Sequence, residues 1–128
     1  MPAWDDYKSE AKARGSLAHE VYVAQSMPAK SPEELKATLP DHLAYQAKLE
    51  AEGALMFAGP MSDESGTQMQ GIGMMIYRAT SFEHAKQLAD ADPMHATGAR
   101  TYTLRKWMIN EGSVSVNVAL SGQSVTLG

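Results

Sequence analysis

The order of strand-like and helix-like segments constrains the fold of this chain more than any other sequence feature. Strand patterns alternate apolar and polar residues, whereas helix patterns repeat every three to four residues after a capping residue. The segments follow one another as strand, helix, strand, strand, helix and strand, over residues 20–25, 31–53, 54–58, 71–79, 81–90 and 100–108. This order predicts an α+β fold with the ferredoxin-like β-α-β-β-α-β arrangement.

The first helical region carries two helix-start signals. Ser31 before Pro32 has the form of an N-cap with proline at the first helical position, and Pro40 before Asp41 predicts a second start. Gly53 is a natural left-handed cap that ends the helix. Four apolar residues recur at helical spacing, so we expect them to face the core: Leu39, Leu43, Ala47 and Ala51.

Additional segments flank the predicted core of residues 20–108. Residues 1–18 are an N-terminal extension in which residues 3–18 predict a short helix. Residues 113–128 alternate around Ser121-Gly122 as a β-hairpin does. An isolated hairpin is marginally stable in water, so we expect this one to extend a sheet or cross to a second subunit. A length of 128 residues is typical of one domain, which predicts a single domain over residues 1–128.

The third predicted strand is apolar on both sides. Ile72, Met74 and Ile76 lie on one side, and Met75 and Tyr77 lie on the other. In the ferredoxin-like topology both helices cover the same face of the sheet, so the opposite face needs another cover. The sequence therefore predicts a homodimer, or a higher homo-oligomer, that buries the face away from the helices.

The composition and motifs argue against several classes of function. A net charge of −4 with scattered basic residues gives no footprint for nucleic acid. No stretch approaches the ~18 apolar residues of a membrane helix, and the polar N-terminus lacks a signal-peptide core. The absence of cysteine fits a reducing compartment, so we expect a cytoplasmic protein. The glycines of residues 71–74 lie inside a predicted strand and form no phosphate loop.

Two polar residues are the main candidates for chemistry. His42 follows Pro40-Asp41 at a predicted helix start, where the helix dipole favours a neutral, base-competent imidazole. Asp92 precedes Pro93, which is typical of a helix N-cap, but its carboxylate can also orient a histidine. The structural alternatives are a solvated helix-start histidine and a simple cap. The other candidate histidines, His19 and His84, are expected at the surface.

His95 falls one turn after Asp92 and is expected near the same site. With His42 these residues make two histidines and one carboxylate, a set that some transition metals accept. The spacing alone is a weak signal, and we predict no metal.

Two longer motifs resemble the YciI-like proteins. They are PDHLAYQAKLEAEGALMFAGPM at residues 40–61 and GIGMMIYRATSFEHAKQLADADPM at residues 71–94, followed by a strand ending in RKW. The resemblance covers about residues 20–108 and implies a ferredoxin-like fold whose dimer forms an α/β barrel. It also implies a His–Asp pair at His42 and Asp92. The segments outside residues 20–108 are additions to the short family pattern.

The resemblance implies a small-molecule enzyme of the lyase or isomerase type that transfers a proton without an organic cofactor. One family member is a dehydrochlorinase of a chlorinated hydroxyhydroquinone, and lactone isomerases and cofactor-free monooxygenases share the barrel shape. His42 and Asp92 are the expected catalytic residues, and the neighbouring motif residues Gly59, Pro60, Met94 and His95 are expected to bind substrate. A non-catalytic binding or regulatory domain and a purely structural dimer are the alternatives.

Overall fold

The computed structural model describes residues 1–128, which divide into two compact units. One unit is residues 20–107, and the other is residues 1–19 with 108–128. The elements in chain order are α1 (Trp4–Ala13), β1 (His19–Pro28), α2 (Pro32–Ala51), β2 (Leu55–Ser62), β3 (Met69–Tyr77), α3 (Phe82–Ala91), α4 (Pro93–Ala96), β4 (Arg100–Ile109), β5 (Val116–Ala119) and β6 (Ser124–Leu127). The prediction that they make a single domain stays a prediction.

Four strands form one sheet in the order β2-β3-β1-β4. Strand β3 pairs antiparallel with both β1 and β2, and Ala24 lies opposite Met75 in the first of these pairings. This order, with a helix after β1 and another after β3, is the ferredoxin-like arrangement, so the predicted α+β fold class is confirmed. The sheet ends at β2 and β4 and does not close within one chain.

The core of residues 20–107 lies between one face of the sheet and the helices. It is built from Tyr22 and Ala24 of β1, Met75 and Tyr77 of β3, and three small or apolar helix positions, Leu49, Ala85 and Ala89. Strand residues two apart share a face, so these strand residues all meet the helices from the same side. The hydroxyl of Tyr45 donates to the carbonyl of Leu88 at 2.7 Å, which ties α2 to α3.

The predicted inward face of α2 is wrong. Leu39 is 42% and Leu43 is 53% exposed, and Ala47 and Ala51 are exposed as well. The residues of α2 that turn toward the sheet repeat with the same period on a different stripe: Leu35, Thr38, His42, Tyr45 and Leu49. A polar residue, His42, therefore occupies a position that an apolar pattern search passes over.

Two boundaries differ from the sequence prediction because proline was read as a break. Helix α2 begins at Pro32 with a capping box between Ser31 and Glu34, then continues through Pro40 without a second start. Strand β2 continues through Gly59 and Pro60 to Ser62, since an edge strand tolerates a residue that cannot donate.

The second unit contains α1 and the hairpin of β5 and β6. The backbone N–H of Leu17 donates to the carbonyl of Asn110 at 3.2 Å, which joins its N- and C-terminal parts. Strands β5 and β6 pair only with each other, so within one chain the hairpin does not extend the four-stranded sheet. No helix of the chain has the length and apolar character required to cross a membrane.

Candidate active site

A cleft of about 440 Å³ is lined by residues of α2, α4 and the strands of the sheet. Its volume lies in the range of small-molecule sites. Most of the lining is apolar, from Leu39 and Leu43 of α2, Met69, Ile72 and Met75 of β3, and Met94 of α4. Polar groups are few: His42 and Gln46 of α2, Ser26 of β1 and Arg100 of β4.

The exposed leucines of α2 explain why the predicted inward stripe failed. Leu39 and Leu43 do not face the core; both line the cleft beside His42. Across from them, Gly59 and Gly73 have no heavy atom within 4 Å of the position that a Cβ would occupy. The absence of side chains at these glycines leaves the cleft room for a bound molecule.

His42 reaches the cleft from the middle of α2, so the helix-start argument for its basicity does not apply. Its Nδ1 lies 2.8 Å from Oδ1 and 2.9 Å from Oδ2 of Asp92. The imidazole is 15% exposed, whereas the Asp92 side chain is 1% exposed. The structure therefore brings these two residues together, with the histidine on the solvent side of the pair. Their catalytic role stays a prediction.

Asp92 also caps a helix turn, so the structural and functional interpretations of this residue are compatible. Its Oδ1 accepts the backbone N–H of Met94 at 2.9 Å, which is the cap that Asp92-Pro93 predicted. An ionised carboxylate only accepts hydrogen bonds, so Nδ1 of His42 must donate to it. A neutral His42 then carries its lone pair on Nε2, which has no protein partner and is not buried.

The predicted substrate-binding residues divide into two groups. Gly59, Pro60 and Met94 line the cleft with His42. His95 does not line it, because Nδ1 donates to the carbonyl of Ala89 at 2.7 Å and Nε2 lies 2.8 Å from Ser26 Oγ. Burial lowers the pKa of His95, which favours the neutral ring. Substrate binding by these four residues stays a prediction.

Two further polar residues of the cleft, Ser26 and Arg100, were not predicted from the sequence. Ser26 is 2% exposed on β1, and the Arg100 Nε–H donates to its Oγ at 2.8 Å. The terminal NH2 group of Arg100 donates to the Ser26 carbonyl at 2.7 Å and also to the carbonyl of Gly71. No local motif marks either residue; the adjacency of β1 and β4 places them together.

The remaining histidines have the surface positions that the sequence predicted. His19 is exposed, and Nδ1 of His84 accepts the backbone N–H of Thr80 at 3.1 Å. No group of three or more His, Asp or Glu side chains is placed to hold a metal ion.

Comparison with known proteins identifies the family. Residues 19–108 match the YCII-related domain. The uncharacterized protein YjpA of Bacillus subtilis (strain 168) is 31% identical over 70 residues, which are 55% of this chain and 75% of that protein.

A solved structure shares the fold at low identity. It is 5-chloro-2-hydroxyhydroquinone dehydrochlorinase (TftG) from Burkholderia phenoliruptrix AC1100, in complex with 2,5-dihydroxybenzoquinone. The TM-score is 0.50 at 17% identity, over 68% of this chain and 92% of that chain. The predicted resemblance to the YciI-like proteins is thus confirmed, and the chain belongs to the YCII-related domain family.

Proposed function

We propose that this chain is a small-molecule enzyme of the lyase or isomerase type that uses His42 as a general base. The observation that carries the proposal is the pairing of His42 Nδ1 with buried Asp92, which leaves Nε2 free at an apolar cleft. A free imidazole nitrogen held in one tautomer is the arrangement that general-base catalysis requires. No organic cofactor is part of the proposal.

In the proposed mechanism Nε2 of His42 takes a proton from the substrate. The positive charge of the resulting imidazolium is stabilised by Asp92, which already accepts from Nδ1 and stays ionised. In an isomerase the proton returns to another atom of the same molecule. In a lyase an anionic leaving group departs with its bonding electrons. Both reactions balance without an oxidant or reductant.

The fold neighbour guides the choice of test substrates. TftG is a dehydrochlorinase of a chlorinated hydroxyhydroquinone, and its structure holds a quinone. At 17% identity the likeness shows the fold alone, so its substrate is a starting point for this chain. Chlorinated hydroxyquinols test the lyase reaction, and cyclic lactones test the isomerase reaction.

The experiment is a turnover screen of these two substrate classes with matched variants. We expect the wild type to convert at least one compound and His42→Ala to lose about 10²–10⁴-fold in rate. His19→Ala, at an exposed histidine outside the cleft, is the control and should keep full activity. Equal rates for wild type and His42→Ala would refute the proposal. Binding without turnover would favour the non-catalytic binding domain.

We also propose that the chain forms a homodimer through the sheet face away from the helices. Trp107 is 45% and Phe57 is 51% exposed, and Val23 and Met74 line a shallow depression with Trp107. Exposed apolar residues on this face of the sheet support an interface between copies. Trp107→Glu should yield monomers in light scattering, whereas Ala44→Glu on the exposed side of α2 should not. A wild type that is monomeric at micromolar concentration would refute this.

A further inference from the structure

Arg100 is the one permanently charged residue of the cleft, and the proposed mechanism leaves it unused. It is the first residue of β4, is partly buried, and lines the cleft with His42. Its side chain is held on one edge by the three hydrogen bonds to Ser26 Oγ, the Ser26 carbonyl and the Gly71 carbonyl. These bonds use Nε and one terminal nitrogen, so the guanidinium is fixed in position before any ligand arrives.

A chain of hydrogen bonds supports this position, and its proton positions follow from the groups involved. A carbonyl only accepts, so the ring N–H of His95 that faces the carbonyl of Ala89 is on Nδ1. With a neutral ring, Nε2 accepts from the hydroxyl of Ser26, whose oxygen accepts from Arg100 in turn. Ser26 is buried, so water does not compete for this series of hydrogen bonds.

Gly71 supplies the third support. Its φ of +83° lies in the left-handed region, and a Cβ there would come within 3.2 Å of the Pro28 side chain. Glycine tolerates both the positive φ and the close approach of Pro28, whereas other residues rarely do. The carbonyl that accepts from Arg100 is therefore held by a backbone conformation that favours glycine.

The second terminal nitrogen of Arg100 has no partner in the protein. The guanidinium forms no salt bridge. Burial lowers the pKa of Arg100, whereas the charge of the nearby Asp92 carboxylate raises its pKa, which favours the charged form. A guanidinium remains charged at neutral pH. The cleft therefore presents one unpaired cation against walls of Leu39, Leu43 and Met94. An unpaired, partly desolvated cation in an apolar cleft attracts an anion.

We propose that Arg100 is the anion-binding residue of this cleft, and that its ligand is a small apolar molecule bearing one oxyanion. The oxyanion is a carboxylate or an ionised phenol or enol, because all of these accept from a guanidinium in the same way. The inference rests on the proposed function in that the same cleft holds the substrate. Arg100 then orients the ligand while His42 acts on it.

The test begins with binding by the wild-type protein, measured by calorimetry on matched pairs of probes. Benzoate is compared with neutral benzamide, and 4-nitrophenolate with neutral 4-nitroanisole. We expect at least one anion to bind about tenfold to a hundredfold more tightly than its neutral partner. The pair that shows the larger ratio identifies the oxyanion as carboxylate or phenolate. Equal affinity within both pairs, or no anion binding at millimolar concentration, overturns the proposal.

Two substitutions assign the effect to Arg100. Arg100→Gln should remove the preference for the anion and leave the affinity for the neutral probe within about twofold. Arg78→Gln is the charge-matched control, because Arg78 is exposed and its side chain donates only to the Gly53 carbonyl. If Arg100→Gln does not fold, Ser26→Ala serves, since it removes the Nε partner and should reduce the anion preference several-fold. Unchanged anion preference in the folded variant overturns the assignment.

The same binding measurement on His42→Ala separates this proposal from the proposed function. Anion preference that persists in His42→Ala supports Arg100 as the anion site whether or not the protein catalyses a reaction. Turnover by the wild type of neutral compounds only would support the general base and overturn the anion site.

Discussion

Asp92→Asn is the substitution that tests most sharply whether Asp92 orients His42. Asparagine keeps the shape of aspartate and still offers an oxygen to the backbone N–H of Met94, so the helix cap survives. Its amide NH2 group faces His42 and can only donate. Both carboxylate oxygens of Asp92 lie within 2.9 Å of His42 Nδ1, and in the variant one of these two positions becomes a donor. We therefore expect Nδ1 to accept and the ring proton to move to Nε2. The atom that points to the cleft loses its lone pair and with it the capacity to act as a base.

The cost in stability follows from the contacts of this buried carboxylate. Asp92 accepts charge-assisted bonds from His42 and Met94, at 2.8 to 2.9 Å. Each becomes a neutral bond in Asp92→Asn and loses about 1 kcal/mol. The sum of about 2 kcal/mol is an upper bound, because the variant no longer buries a charge. The melting temperature should therefore fall by about 8 °C or less. Turnover should fall on the order of 10⁴-fold, because the tautomer is wrong.

The assay is nitrogen-15 NMR of the histidine rings, which reports the tautomer without a known substrate. We expect the lone pair of neutral His42 on Nε2 in the wild type and on Nδ1 in Asp92→Asn. Asp90→Asn makes the same chemical change two residues away at an exposed carboxylate bonded to Lys86, and should leave His42 unchanged. The reasoning is refuted if His42 has the same tautomer in the wild type and in Asp92→Asn.

Three further outcomes are expected. Gly73→Ala adds a methyl group to the cleft without a heavy-atom contact inside 4 Å, so urea denaturation should show a fold that is about 0.4–1 kcal/mol more stable. The methyl group takes up space in the cleft and should weaken binding of the anionic probe. Unchanged binding would show that the ligand lies elsewhere. The hairpin exposes four apolar side chains, those of Val116, Val118, Val125 and Leu127, and a hairpin alone is marginally stable, so we expect it to pack against another surface. Deletion of residues 113–128 should therefore lower the melting temperature or dissociate the oligomer. A truncated chain with the same oligomeric state and melting temperature as the wild type would make the hairpin dispensable. Burial lowers the pKa of His95 from 6.5, so the unfolded chain takes up a proton first as the pH falls, and the free energy of unfolding decreases below about pH 6.5. In urea denaturation, His95→Asn should show a smaller decrease with falling pH than the wild type. The same dependence of the free energy of unfolding on pH in both proteins would contradict this.

Strand and helix order was predictable because each element carries its own local pattern. The alternation in β1 and the cap at Ser31, for example, can be recognised without tertiary information. Such local patterns, taken along the chain, predict the β-α-β-β-α-β order. The stripe of α2 that faces the sheet was not predictable. Leu39 and Leu43 have the same helical spacing as core residues, yet they line a cleft, and only the packed structure distinguishes the two environments.

The site was predictable to different degrees. Asp92 was visible as a cap before proline, and its pairing with His42 was expected from the family resemblance. Arg100 and Ser26 lie 74 residues apart with no motif around either. Their contact depends on the pairing of β1 with β4, a long-range arrangement that a single sequence does not specify residue by residue.

In the proposed mechanism, Nε2 of His42 accepts a proton from a molecule bound in the cleft. The most direct measurement is hydrogen–deuterium exchange of a bound substrate in D₂O, followed by NMR for the wild type and His42→Ala. We expect the wild type to place solvent deuterium at the reacting carbon and His42→Ala to exchange about 10²–10⁴-fold more slowly. Exchange at the same rate in both proteins would contradict it, because the proton would then move without His42.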